Sequence, residues 1–149
     1  MAELVGLIAS VAALAKLAGS TGTAISKIRE RLGRESTITA LQTEIDGTTT
    51  VVSELHMVFC SCSHDEALSS NILAAINRCG LPQQVARTRQ QLEGLFTTMK
   101  RLECRDDTKA RRAWKRLFIE KGEADIKRHV GTMQSHKISL LMSLSTLAL

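Results

Sequence analysis

With 149 residues, 44% hydrophobic and 23% charged, the chain has the size of one domain and enough apolar side chain to bury a core without disulfides or metal. That balance excludes wholesale disorder. One proline, no tyrosine and an aromatic content of 3% argue against a sheet and against a base-stacking platform for nucleic acid.

The apolar residues step by threes and fours over long distances, which predicts helices. In the first segment Leu4, Leu7, Val11, Leu14, Ala18, Ile25, Ile28 and Leu32 form a stripe with only Thr21 polar in it. This is one long helix, or two broken near Gly19 to Gly22, with Gly33 as a C-terminal cap. Ser36 or Thr37 caps a second helix carrying Ile38, Leu41, Ile45, Val52, Leu55, Phe59 and Cys62, with Thr48 filling the gap. Its run Gly47-Thr48-Thr49-Thr50 is poor helix sequence, so tertiary packing holds it or a kink falls there. Ser63 and Glu66 make a capping-box pattern for a shorter third helix through Leu68, Ile72, Leu73 and Ile76, which Gly80-Leu81-Pro82 stops.

A fourth helix is expected from about Gln83 to Glu103, with Val85, Leu92, Leu95, Phe96, Met99 and Leu102 on one side. Asp106, Asp107 and Thr108 offer a cap for a short basic helix bearing Trp114, Leu117 and Phe118, three residues best read as core anchors. After Gly122 a final helix aligns Ile126, Val130, Met133, Leu140, Leu144 and Leu147. Lys137 interrupts that seam with a stem able to lie along apolar surface, and Ile138 and Leu141 widen it. The expectation is a single all-α domain over 1–149, an antiparallel bundle of five or six helices with a four-helix core and a hydrophobic first helix.

The formal charge of +5 is concentrated, because Lys100 to Arg128 holds eleven Lys/Arg against six Asp/Glu and the remainder balances. A solvated helical surface is the ordinary reading of such mixed charge. The alternative is a contact for anionic lipid or an acidic partner, through Lys109, Arg111, Arg112, Lys115 and Arg116. Irregular spacing of the four cysteines suits a reducing, cytoplasmic compartment. Glu3 stands where a secretory leader would be basic, so the start reads as mature sequence.

Chemistry finds little support. His56, Cys60, Cys62 and His64 are residue types that zinc prefers, but Cys62 and His64 straddle a helix end, and half-buried reduced side chains explain them more simply. There is no nucleophile-elbow motif or phosphate-binding glycine pattern, and no nucleic-acid signature. No cofactor, enzymatic activity or nucleic-acid partner is therefore expected. The first helix is more informative, being uncharged from Leu4 to Ala15, about twelve apolar residues before Lys16. It is either buried at the centre of the bundle, or buried at rest and able to leave for a bilayer.

The opening Met1-Ala2-Glu3-Leu4-Val5-Gly6-Leu7-Ile8-Ala9-Ser10-Val11 resembles the start of the HeLo-like N-terminal domains of fungal STAND proteins, the fungal NOD-like receptors. Trp114-Lys115-Arg116-Leu117-Phe118, Glu120-Lys121, Ile126 and Ser135 to Leu144 are similar to that family's C-terminal signature. The resemblance implies a helical effector in front of nucleotide-binding and repeat modules, acting in incompatibility or immune-like cell death. It further implies self-assembly, cytoplasmic residence at rest and membrane association on activation. The inserting element would be Leu4, Leu7, Ile8, Val11, Leu14 and Leu17, with Glu3 at its tip. A non-toxic oligomerisation or adaptor bundle is the alternative.

Overall fold

The computed structural model describes residues 2–32, 36–62, 64–103 and 107–148. Five helices occupy them: α1 (Ala2–Leu32), α2 (Ser36–Cys62), α3 (Glu66–Cys79), α4 (Leu81–Glu103) and α5 (Asp107–Ala148), with no strand among the described residues. The protein is thus an all-α bundle led by a hydrophobic helix.

Four helices form a ring in the order α1, α2, α5, α4, each packing chiefly on its two neighbours, while the short α3 lies against α4 and α5. Arg29 Nη1 donates to Gln42 Oε1 at 3.0 Å, and a Cβ at Gly22 would lie 3.2 Å from Asp46 Oδ1, so α1 and α2 run antiparallel. Ser143 Oγ donates to Gln84 Oε1 at 3.3 Å between α5 and α4. Where the chain turns from α3 into α4, Gly80 takes φ +67°, a left-handed conformation that favours glycine at a helix C-terminus. Gln84 Nε2 then donates to the Cys79 carbonyl at 2.9 Å, so one side chain caps α3 and anchors α5.

The core follows the expected stripes. Leu4, Leu7, Val11, Leu14, Ala18, Ile25 and Ile28 of α1 are buried against Ile38, Leu41, Ile45, Val52, Leu55 and Phe59 of α2. Thr21 and Thr48 are fully buried in those stripes, because each hydroxyl donates to its own helix, to Leu17 O and Glu44 O at 2.8 Å. Thr49 and Thr50 bond back to Ile45 O and Asp46 O in the same way, and α2 runs through Gly47 as one helix.

Gly47 faces Lys137 of α5. An added Cβ would stand 2.9 Å from the lysine Cδ, so the missing side chain makes room for the stem. The ammonium then reaches Glu44 Oε2 at 2.7 Å. That oxygen is buried and receives no well-directed hydrogen bond, which makes the contact a charge pair rather than an aligned bond.

Several boundaries differ from expectation. α1 runs unbroken through Gly19 to Gly22, one of the two forms expected for it, but α5 continues from Asp107 to Ala148 where a short basic helix and a separate final one were expected. An internal glycine costs a helix only about 1 kcal/mol relative to alanine, too little to end one flanked by good helix formers. α4 begins at Leu81, two residues early, with Pro82 tolerated in its first turn and Leu81 fully buried. α3 begins at Glu66, so Asp65 directly precedes it. Ser63, Gly33 and Asp106 lie outside the described residues, as do the side chains of Leu32, Ser36, Thr37, Leu68, Leu102, Asp107, Trp114, Leu117, Phe118, Ile126, Leu144 and Leu147.

Candidate functional site

α1 holds a corner of the ring, not its centre. Its inner face carries Leu4, Leu7, Val11 and Leu14 into the core, with Ile8 and Leu17 half-buried beside them. The outer face presents Val5, Gly6, Ala9 and Ala13 to solvent, Val5 at 64% exposure, with Glu3 exposed at the tip and Lys16 closing the uncharged stretch. A helix at the bundle centre would be buried all round. Alanine and glycine leave little apolar area exposed, which lets an uncharged helix sit at a corner. From Glu3 to Glu30 α1 is long and apolar enough to cross a membrane, and only 28% of that window is buried. Its buried positions recur at about the same density as those of α2, so length and hydropathy, not burial, set it apart.

In the basic stretch Lys109, Arg112 and Arg116 are exposed on one face of α5, at spacings of three and four. The side chains of Arg111 and Lys115 lie outside the described residues. The distance along α5 separates this face from the C-terminal half that packs on the ring through Met133 and Leu140. Beyond them Ile138, Leu141 and Met142 are exposed, so the expected widening of the seam points outward.

The zinc candidates do not converge. His56 and Cys60 touch, with Sγ 3.6 Å from Nε2 and 3.9 Å from Nδ1, and Cys62 is half-buried while His64 is exposed on the connection. No group of three or more metal-ligating side chains exists among the described residues. His56 and Cys60 stand four residues apart on α2, the spacing of a helix-face contact.

Two features were not legible beforehand. One is the Glu44–Lys137 pair, for which the only sequence signal is a carboxylate three residues before a glycine on a packed helix face. The other is His136, half-buried on α5, whose pKa is lowered from 6.5 by burial first and then by the Arg87 guanidinium of α4.

Fold and surface together define an all-α bundle with a membrane-length first helix and a basic flank. Neither a family model, nor a curated protein, nor a solved structure matches this chain.

Proposed function

We propose that the chain is the effector domain of a fungal NOD-like receptor, a HeLo-like bundle that triggers regulated cell death by oligomerising and delivering its first helix to a membrane. The observation that carries this reading is α1 itself: membrane-length, apolar and only 28% buried. At rest the domain is cytoplasmic, with Leu4, Leu7, Val11 and Leu14 held in the core. Withdrawing four such side chains costs on the order of 10 kcal/mol, so release requires a compensating sink. A bilayer accepts the same side chains, and Lys16 favours assembly of several helices over a lone span. Lys109, Arg112 and Arg116 would meet anionic headgroups, while nucleotide-binding and repeat modules of the same receptor would supply the trigger.

Ala9→Glu and Ala13→Glu test this cleanly. Both positions are exposed at rest, so the bundle keeps its melting temperature. In a bilayer each carboxylate is costly by a few kcal/mol. Dye leakage from anionic liposomes and toxicity on expression should both drop, as they should when residues 1–10 are deleted. Full leakage from folded double variants would sink the mechanism.

A second reading, a non-toxic adaptor bundle, rests on Ile138, Leu141 and Met142, exposed at spacings of three and one on α5. An adaptor stays in the soluble fraction when floated with anionic liposomes at physiological salt.

A further inference from the structure

On α5 Val130, Met133, Lys137 and Leu140 follow one another at spacings of three, four and three, the repeat of a helix seam with a lysine in one of its core positions. Met133 and Leu140 are buried and Val130 packs half-buried against the core. Apolar packing along such a repeat has little power to choose a height. Sliding α5 by seven residues, about 10 Å, puts Met133 in the place of Leu140, and burial is indifferent to which of the two fills it. A polar side chain in one seam position can make the choice instead.

Lys137 meets two features of α2 at once. Gly47 is the only glycine of α2 and gives the stem its space, since an added Cβ would stand 2.9 Å from the lysine Cδ. Glu44, one turn earlier, receives the ammonium at 2.7 Å. No neighbouring height offers both. Seven residues further along α2 the place of the glutamate falls to Val51 and that of the glycine to Glu54; seven residues back they fall to Thr37 and Ala40. Slips of four residues put Thr48 and Val51, or Ala40 and Thr43, in the two places. Each slip sets a Cβ against the stem, and none sets a carboxylate where Glu44 stands.

The pair is poorly built for strength. Glu44 Oε2 is buried without a well-directed hydrogen bond, and taking two charges out of water cancels most of what their attraction returns. From α4, Ser143 Oγ marks the same height on Gln84 Oε1, but as a neutral contact at 3.3 Å it is the weaker mark. We propose that Lys137, seated over Gly47 and paired with Glu44, is a register key: it selects one height of α5 on α2 and excludes slipped packings that the apolar seam alone accepts. The key belongs to the resting bundle and is independent of membrane insertion by α1.

The test labels the methionine methyl groups of the full chain with carbon-13. Met133 is buried within the seam, so its methyl signal reports the height of α5, and Met133→Leu identifies that signal. The parent should give one sharp Met133 signal. Glu44→Leu combined with Lys137→Leu replaces the pair by apolar side chains. That variant is expected to keep the parent's urea midpoint or exceed it, while the Met133 signal splits or broadens, with minor signals amounting to about a tenth of the total. If it does not fold, Glu44→Gln combined with Lys137→Met retains both stems, and the same splitting is expected there. Arg89→Gln combined with Glu93→Gln removes an exposed ion pair of α4 and should leave one sharp signal. One sharp Met133 signal in a folded variant lacking the pair would overturn the proposal, because packing alone then fixes the height. Equal splitting in the Arg89 and Glu93 variant would overturn it as well, since multiplicity would then follow from any lost ion pair.

Discussion

Lys137 joins α5 to α2 by its stem and its charge together. The stem fills the space over Gly47, and the ammonium meets Glu44, with the two side chains 24% and 13% exposed. Lys137→Met keeps the stem and strands the carboxylate. A loss of about 2 kcal/mol in urea unfolding is expected, between the value for exposed pairs and that for buried ones. Glu44→Gln combined with Lys137→Met should recover most of it. Gly47→Ala has a background-dependent sign: the helix gains about 0.5–1 kcal/mol, but the methyl displaces the Lys137 stem. Near-zero change in the parent and a full gain in a Lys137→Ala background are the expected results.

His136 adds a pH dependence at the same scale. Its folded pKa lies below 6.5, so the unfolded chain binds the proton more readily than the native bundle does. Stability from this group is complete above pH 6.5 and is lost as pH falls through the lowered folded value. Melting temperature should therefore decline on acidification from about pH 7, and His136→Gln should flatten that part of the curve. Arg87→Gln should flatten it only in part, since burial is the larger cause.

At the scale of the element, α1 has two faces with different energetic roles. Leu14 is fully buried and Val5 is not. Leu14→Ala should destabilise by about 2–5 kcal/mol through lost burial and the cavity left behind. Val5→Ala should stay within about 0.5 kcal/mol. Equal, small effects at both positions would mean that α1 is not docked in solution, and chemical denaturation decides this directly.

For the whole molecule, the ring order places α1 between α2 and α4. Its departure would open an apolar face on each of them, which under the proposed function would couple release to self-assembly or to membrane. The basic face of α5 is separate from the α1 corner in sequence, so the two proposed contributions to membrane binding can be tested apart. Replacing Lys109, Arg112 and Arg116 by glutamine should lower flotation on anionic vesicles at about 0.15 M salt, and raising the salt to about 0.5 M should erase the difference. Neutral vesicles should show no difference between the variant and the parent.

The all-helical class, the buried stripes and the turn at Gly80 were readable from residue order, because a helix repeats every 3.6 residues and its packed face shows in spacing alone. Even Thr21 and Thr48 were legible as core positions, since a threonine can satisfy its hydroxyl within its own helix. Tertiary structure decided the rest. It carried α5 through Gly122 in one piece, set α1 at a corner with Ala9 and Ala13 outward, and laid Lys137 over Gly47. Those outcomes depend on which helices become neighbours and at what height, and spacing within one helix carries no information about the register of the next.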